Sequence, residues 1–270
     1  MRVKRITFVL LSFLIASVHS ASAAGENIGS LSHIHSVRAL GNQIILGTHE
    51  GLFEYLNEKS VKRISPERFD VMGLAISAKG FYASGHPGAG SKLKDPVGLL
   101  FSSDSGQSWK SLALTGIVDF HILETNGKEF YGADSGSGQL MYSSNSGKSW
   151  AKRGLNPFTD IAPDPKIKAT VLGVKDGKIY RSLNSFKSSS VIKTTFNVDS
   201  IDWIEGSLIA SSGMVLYEST NAGTSWKKLI TLPAPIGTIT QSSSMIAVVM
   251  NGVIYSSGRS NLEFIKHQKK

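Results

Sequence analysis

Ser102-Ser-Asp-Ser-Gly-Gln-Ser-Trp109 is a stretch of eight residues that returns twice, as Ser143-Ser-Asn-Ser-Gly-Lys-Ser-Trp150 and as Ser219-Thr-Asn-Ala-Gly-Thr-Ser-Trp226. The shared pattern is Ser-x-Asp/Asn-x-Gly-x-x-Trp. It is typical of a tight hairpin turn, because Asp or Asn hydrogen-bonds the backbone two residues on and Gly accepts a positive φ. The Trp then opens the next strand and buries a large apolar surface. Three copies, each after an apolar run, predict a repeat protein.

The recurring side chains of this turn are predicted to be structural. Asn stands for Asp in two of the three copies, and Asn serves the turn equally well but cannot act as a general acid. The tryptophans are predicted to pack between neighbouring repeats rather than to stack on sugars. The full set is Ser102, Asp104, Gly106, Trp109, Ser143, Asn145, Gly147, Trp150, Ser219, Asn221, Gly223 and Trp226.

Six segments repeat an order of short alternating strands separated by Gly, Ser, Asn and Asp. The strands that precede the turns are residues 51–55, 98–102, 140–143, 178–181, 215–218 and 253–256. The last four lie about forty residues apart, the period of a four-stranded propeller blade. Three turns are degenerate; Ser182-Leu-Asn-Ser-Phe186, for example, lacks the Gly and the Trp. We predict an all-β fold in which residues 24–270 form one six-bladed β-propeller of four-stranded antiparallel blades, with residues 262–265 available as the last outer strand.

The turn pattern resembles the Asp-box, or bacterial neuraminidase repeat (BNR), of sialidases, the sortilin ectodomain and photosystem II assembly-factor propellers. Other phrases are similar to a family of bacterial secreted, glycosyl-hydrolase-like Asp-box proteins. They are His33-Ile-His35, Gly47-Thr-His-Glu-Gly-Leu-Phe53, Ser84-Gly-His-Pro87, Asp119-Phe-His121 and Tyr131-Gly-Ala-Asp-Ser135. This second resemblance covers roughly the first half of the mature chain. It implies an exported sialidase-like or sortilin-like propeller of unassigned activity.

The N-terminus has the pattern of a secretory signal peptide. A basic start with Arg2, Lys4 and Arg5 precedes an apolar run over residues 6–18 and a small-residue site, Ala21-Ser-Ala23. We predict cleavage after residue 23 and a secreted or periplasmic protein. The chain has no cysteine, which excludes a lipoprotein anchor, disulfides and thiolate metal sites. No apolar run is long enough to predict a membrane span.

The charge pattern argues against nucleic-acid binding. The net charge is +9, and removal of the three basic residues of the signal leaves +6. That excess is spread along the chain rather than gathered into a basic patch with aromatic residues. We expect a solvated surface and a monomer.

Propeller topology predicts where the histidines lie. The repeated turn joins the third strand of a blade to the outer fourth strand, so it lies on one face, the bottom. The start of each inner strand and the end of each second strand lie on the opposite face, the top. His33 and His35 open an inner strand, His121 lies early in another, and His49 and His86 end second strands. Five of the seven histidines therefore converge on the top face of blades one to three.

Clustered imidazoles with nearby carboxylates suit several chemistries. They can bind a transition metal such as Zn²⁺, Cu²⁺ or Ni²⁺, or transfer protons near neutral pH. Alternatively, each histidine orders a turn through the backbone. The candidate ligand-binding residues are His33, His35, His49, His86, His121, Asp119 and Asp134, and the five histidines are the candidate metal ligands.

The sialidase resemblance fails at the arginines. Sialidases hold the substrate carboxylate with three arginines, the first in a Phe/Tyr-Arg-Ile-Pro motif that this chain lacks. None of the arginines of the mature chain is predicted to open an inner strand or to end a second strand; they are Arg38, Arg63, Arg68, Arg153, Arg181 and Arg259. Binding a carboxylate with guanidinium forks requires them to point at one place.

Three functions remain open at this point. The first is a binding protein whose top face holds a metal, glycan or protein, with residues 87–96 as a rim or lid. The second is an enzyme, either a glycoside hydrolase or a metal-assisted hydrolase, for which Asp119, Asp134 and Glu50 are the top-face carboxylates. The third is an assembly or scaffold protein that resembles the photosystem factors.

Overall fold

The structure, a computed structural model, describes residues 25–269. The predicted signal peptide, residues 1–23, lies outside the described residues. The described residues form six antiparallel sheets arranged as the blades of a β-propeller, which confirms the predicted fold class. The first strand of each blade lines a central channel, and the following strands lie progressively further out.

The strands are as follows. Blade one contains β2 (Ile34–Leu40), β3 (Gln43–Thr48), β4 (Gly51–Asn57) and β5 (Ser60–Arg63), and blade two β6 (Phe69–Ser77), β7 (Gly80–Pro87), β8 (Leu99–Ser102) and β9 (Lys110–Ala113). Blade three contains β10 (Phe120–Thr125), β11 (Phe130–Asp134), β12 (Gln139–Ser143) and β13 (Ala151–Leu155), and blade four β14 (Asp160–Pro163), β15 (Val171–Lys175), β16 (Lys178–Ser182) and β17 (Ser190–Ile192). Blade five contains β18 (Ser200–Ile204), β19 (Ser207–Ser212), β20 (Val215–Ser219) and β21 (Lys227–Thr231), and blade six β22 (Thr238–Gln241), β23 (Met245–Met250), β24 (Val253–Gly258) and β25 (Ile265–Lys266). The six strands predicted ahead of the turns are all third strands.

The repeated turns share one hydrogen-bond pattern. In blade two the Ser102 hydroxyl accepts the amide of Gly106 at 2.7 Å, and the Asp104 carboxylate accepts the amide of Ser108 at 2.9 Å. Hydrogen bonds from Ser108 and Ser102 lower the pKa of Asp104 to about 2. Blades three, four and five repeat the two bonds with Asn in place of Asp. Both carboxylate oxygens of Asp104 are therefore hydrogen-bonded within its own turn.

The turn of blade four keeps this geometry although Phe186 replaces the glycine. Phe186 has a φ of 59°, inside the left-handed region that favours glycine. The packing of its ring offsets the strain of this backbone conformation. The ring stacks on Phe158 with ring centroids 4.5 Å apart and meets Tyr131 edge-on at 5.9 Å. The aromatic side chain thus fills the space between blades three and four.

One apolar cluster lies at each of the six seams between neighbouring blades. The turn tryptophans pack at these seams: Trp150, for example, lies 4.7 Å from Phe120, ring to ring, beside residues of blade two. The turn glycine makes a close approach to the preceding blade, since a Cβ on Gly147 would lie 2.5 Å from the Leu99 side chain. The short repeat thus specifies both the hairpin and the contact between blades.

The ring closes by packing between complete blades. The last outer strand, β25, comes from the C-terminal segment, while β1 (Glu26–Asn27) adds a fifth strand outside blade one. The amide of Ala39 on the first inner strand donates to the Thr240 hydroxyl on the last, at 3.0 Å. Further out, the amide of Lys269 donates to the carbonyl of Leu56 at 2.8 Å. Residues 25–269 include no helix long and apolar enough to cross a membrane.

Candidate functional site

The top face carries the second-to-third strand connections and the approaches to the inner strands. In blades one to three these connections are residues 49–50, 88–98 and 135–138. The opposite face carries the repeated turns, where the Lys79 ammonium donates to the Ser146 hydroxyl at 2.9 Å. The five candidate histidines lie on the top face and occur as two groups, each joined by an aspartate.

The first group is centred on Asp70, the second residue of β6. Its Oδ2 is hydrogen-bonded to Nδ1 of His49 at 2.8 Å. Its Oδ1 lies 3.1 Å from Nε2 of His35. The ring of His33 lies 6.0 Å from that of His35 and 6.3 Å from that of His49. One carboxylate of blade two therefore holds two imidazoles of blade one, with a third close by.

The contact between His35 and Asp70 is close but is not a hydrogen bond. Nε2 of His35 and Oδ1 of Asp70 are both buried, and neither has a hydrogen-bond partner. Burial lowers the pKa of His35, an effect that the Asp70 carboxylate opposes and His33 and His49 reinforce. His35 is therefore a neutral imidazole at physiological pH, with a ring nitrogen directed at a carboxylate oxygen.

The second group is centred on Asp119, which immediately precedes β10. Its Oδ2 lies 2.7 Å from Nε2 of His121, 3.2 Å from Nε2 of His86 and 2.6 Å from the Ser135 hydroxyl. Burial raises the pKa of Asp119, but the hydrogen bonds from His121 and Ser135 outweigh it and bring the pKa below its ordinary value. The hydrogen bond to Asp119 in turn raises the pKa of His121. The two histidines of the second group and Ser135 are therefore all hydrogen-bonded to the same aspartate.

The long connection of blade two is tied to the second group. Nδ1 of His86 lies 2.7 Å from Oδ1 of Asp95, and this hydrogen bond raises the pKa of His86. The Ser91 hydroxyl donates to Glu67 at 2.8 Å, and the amide of Val97 donates to the carbonyl of Gly85 at 2.9 Å. The loop therefore rests on the top face through specific contacts at its start, middle and end.

Two of the carboxylates nominated from the sequence accept hydrogen bonds from backbone amides and serine hydroxyls. Asp134 accepts the amide of Asp119 at 2.8 Å through Oδ1, and the amide and hydroxyl of Ser137 through Oδ2. Glu50 accepts the Ser32 amide at 3.0 Å and hydroxyl at 2.6 Å. Burial alone would raise the pKa of Glu50, but the hydrogen bonds from Ser32 outweigh this effect, so the pKa is lowered overall. Both carboxylates order loops of the top face.

The channel beneath this face contains ionisable groups that the sequence analysis did not single out. Its volume is about 660 Å³, and its lining includes His35 and His121 at the mouth and Arg38, Glu124, Asp160 and Asp202 further in. The Arg38 guanidinium pairs with Glu124 and donates to the carbonyl of Leu74 at 2.7 Å. Among residues 25–269, Arg38 is the one arginine of the lining, so no arginine triad is assembled there.

These channel groups link the inner strands of neighbouring blades. Asp160 accepts the amide of Ile201 at 2.9 Å, and Asp202 accepts the amide of Gln241 at 2.7 Å. Desolvation raises the pKa of Asp160 to about 6 and that of Glu124 to about 8, although Arg38 opposes both shifts. A signal was present in the sequence, because alternate residues of an inner strand must face the channel.

Asp70 and Asp95 are the top-face residues that sequence reasoning missed. Asp70 stands in the inner strand of blade two, in the same region of its blade as His35 and His121, and this position was a usable signal. Its orientation depends on a register shift between Val71 and Gly73 of β6, which is invisible in the sequence. Asp95 reaches His86 from an irregular loop, so no periodicity could have placed it.

No protein-family model matches the chain, and no curated protein matches it. Among solved structures the fold is similar to a GH74 enzyme from Niastella koreensis, with a TM-score of 0.56 and 19% identity over 87% of this chain and 37% of that one. It is also similar to a chain of the nidogen/laminin complex (TM-score 0.58, 11% identity, 88% of this chain and 94% of that one). A third similar structure is YCF48 bound to D1 peptide (TM-score 0.55, 12% identity, 90% of this chain and 83% of that one).

These similarities establish the fold. All three identities are below one in five, and the chain spans little more than a third of the GH74 enzyme. The similar propellers include an enzyme and proteins solved with protein or peptide partners. Because one fold can carry such different functions, the choice of function rests on the chemistry of the site.

Proposed function

We propose that this chain is an exported binding protein and that the top face of blades one to three is its ligand-binding site. One observation carries the proposal: Asp70 and Asp119 hold four histidines from three consecutive blades on one face, and the ring of His33 lies beside two of them. Three of these imidazoles are well exposed, with 58% of the His49 side chain, 44% of His86 and 46% of His121 accessible. Groups that only ordered turns would not need such exposure.

Binding is favoured over glycoside hydrolysis by the state of the carboxylates. A general acid must hold a proton that it can deliver, and a nucleophile needs a free oxygen facing the substrate. Both oxygens of Asp134 accept hydrogen bonds from backbone and serine donors. Glu50 and Asp119 each keep one oxygen without a partner, Oε2 and Oδ1, but these two atoms are buried and their other oxygens are hydrogen-bonded. The carboxylates of this face therefore act as supports for the imidazoles and loops.

The family assignment and the export of the chain belong to the same proposal. The hydrogen-bond pattern of the turns in blades two to five supports membership of the Asp-box propellers, with the glycosyl-hydrolase-like secreted proteins as the nearest resemblance. The basic, apolar and small-residue order of residues 1–23 supports export. N-terminal sequencing of the protein taken from its own cells should begin at Ala24; a sequence that begins at Met1 would refute the cleavage.

Native mass spectrometry of the untagged protein from its own cells tests the binding site. We expect an excess over the polypeptide mass that disappears on denaturation, and its size separates a metal ion from a glycan or a peptide. The double variant His49→Ala/His121→Ala should lose this mass, because both imidazoles are exposed and present the ligand-facing surface. Neither change removes a buried side chain.

The matched control is Lys148→Ala/Lys187→Ala, which changes two exposed residues of the repeated turns on the opposite face. It should retain the bound mass. Loss of the mass in this control with retention in the histidine variant would place the ligand on the bottom face. The absence of any excess mass would equally contradict a binding function for the top face.

A further inference from the structure

We propose that the first group is a binding site for a divalent transition metal, formed by His35, His49 and Asp70 with His33 as a fourth donor. The inference rests on the proposed function, since it names the ligand of the top face. It also narrows that ligand to one half of the histidine cluster. His86 and His121, which the sequence suggested as further metal ligands, are outside it.

The separation of the donor atoms is the first observation. One ligand atom each from His35, His49 and Asp70 lies within 4.8 Å of the other two. Donors about 2.0–2.2 Å from a tetrahedral zinc ion stand about 3.4 Å apart. Nε2 of His35 and Oδ1 of Asp70, at 3.1 Å, are already at this spacing. The third donor, His49, is exposed, and its Nδ1 is bonded to Oδ2 of the same Asp70 at 2.8 Å, an interaction that a metal ion would replace.

The buried atoms without partners are the second, independent observation. Nε2 of His35 and Oδ1 of Asp70 are screened from solvent and face each other, yet they form no hydrogen bond. Buried polar atoms in native proteins are almost always satisfied, and unsatisfied ones call for a missing partner. A cation between a ring nitrogen and a carboxylate oxygen satisfies both lone pairs at once.

The donor set selects the metal class. Two or three imidazoles and one carboxylate suit Zn²⁺, Cu²⁺ or Ni²⁺ rather than Ca²⁺ or Mg²⁺, which prefer all-oxygen sites. Three blade-held donors leave one position for His33, whose exposed ring stands 6.0 and 6.3 Å from its neighbours. His33 immediately precedes β2, and as the fourth donor it would complete a tetrahedral set.

The second group differs from the first in the hydrogen bonding of its ring nitrogens. Oδ2 of Asp119 already receives His121, His86 and Ser135, and His86 is also held by Asp95. Among residues 25–269, the convergence of three donors within 4.8 Å is found at the first group. The second group therefore provides an internal control with the same residue types. Both of its Nε2 atoms are hydrogen-bonded to Asp119, so its buried atom without a partner, Oδ1 of Asp119, is not matched by a buried ring nitrogen without a partner.

Isothermal titration calorimetry with Zn²⁺ on the chelator-treated, untagged mature chain tests the site. We expect one equivalent to bind the wild type. His35→Ala and Asp70→Asn should each weaken binding by about 100-fold or more, since even outer-shell changes at metal sites reduce affinity 10–100-fold. His86→Ala should bind within about threefold of the wild type. His49→Ala should also weaken Zn²⁺ binding. Because His49 is exposed, its loss should not disturb the fold, so weaker binding in this variant cannot be attributed to misfolding.

Two results would overturn the inference: no binding of Zn²⁺, Cu²⁺ or Ni²⁺ to the wild type, or equal losses in His35→Ala and His86→Ala. Neither would remove the proposed function. An organic mass that is bound in native spectra and lost in His49→Ala/His121→Ala would keep the top face as a binding site while excluding the metal. Loss of the bound mass from the opposite-face control alone would instead refute the proposed function.

Discussion

Blades one to three and blades four to six share one architecture but differ on the top face. In the second half, the connections between second and third strands are the two-residue turns 176–177, 213–214 and 251–252. Each contains a glycine with positive φ, and none contains a histidine. In the first half, the same connections either are longer or carry His49, and they meet two aspartates and four more histidines. The repeat specifies the scaffold, and departures from it mark the site.

A pair of aspartates at matching positions shows the difference most clearly. Asp119 and Asp199 each immediately precede the inner strand of their blade. Asp199 accepts the amide of Gly213 at 2.6 Å and so orders the neighbouring turn. Asp119 also contacts its neighbouring turn, through Ser135, but directs the same oxygen at His86 and His121. Both aspartates therefore contact the neighbouring turn, and Asp119 in addition holds two imidazoles.

The largest effect should follow from breaking the scaffold that both halves share. Gly147→Val places a branched side chain at a φ of 79° with its Cβ 2.5 Å from Leu99. Strain and overpacking should together reduce the free energy of unfolding by about 4 kcal/mol. Denaturant unfolding measures this. Gly213→Ala, where nothing lies within 4 Å of the new Cβ, should lose only about 1 kcal/mol; equal losses would refute the seam contact.

A slightly smaller loss is expected where the repeat itself departs from glycine. Phe186→Gly removes an aromatic ring from the seam between blades three and four but relieves the left-handed backbone. A loss of about 3–5 kcal/mol from the cavity less about 1 kcal/mol of strain leaves a net loss of about 3 kcal/mol. Thermal and denaturant unfolding should both show it. A more stable Phe186→Gly protein would mean that the ring contributes nothing to the seam.

The channel beneath both halves should give the protein a pH dependence. Glu124 has a folded pKa of about 8, above its unfolded value, so its contribution to stability is present at low pH and lost as the pH rises through 8. The free energy of unfolding should fall by about 1 kcal/mol between pH 7 and 8 and level off above pH 8, where Glu124 is ionised in both states. The raised pKa values of His86 and His121 act in the same direction. His35 has a lowered pKa and is neutral in both states over this range.

Glu124→Gln separates the channel from the histidines. The amide keeps an oxygen for Arg38 but cannot ionise, so most of the slope between pH 7 and 8 should disappear. Denaturant unfolding at several pH values provides the comparison. An unchanged slope would assign the pH dependence to the top-face histidines instead of the channel.

The smallest effect should come from the loop of blade two. Asp95→Asn removes the carboxylate that raises the pKa of His86, so that pKa should fall towards its ordinary value in an NMR titration. Stability should change by less than about 0.5 kcal/mol, because Asp95 is largely exposed. Asp176→Asn makes the same change in the matching connection of blade four and should leave His86 unaffected. A shifted His86 in that control would show that the effect is not local.

The sequence predicted the scaffold well because its determinants are local. Each turn carries its own hydrogen-bond donors and acceptors, and a period of about forty residues has few architectural solutions. Strand order also predicted which ends of strands share a face, and the five histidines lie on that face. What it could not predict were contacts decided by irregular backbone: Asp70 is positioned by a register shift in β6, and Asp95 by a loop without periodicity. The ionisable groups of the channel could have been found only by comparing the inner strands residue by residue.

The most direct test of the division between the two halves is an NMR titration of the histidine rings of the mature chain with Zn²⁺. His267, buried near the C-terminus and hydrogen-bonded to Ser256, serves as a reference in the same spectrum. We expect the signals of His33, His35 and His49 to change and to saturate at one equivalent, while His86, His121 and His267 change little. A spectrum in which His267 responds first, or in which all the rings respond alike, would contradict a metal site on blades one and two.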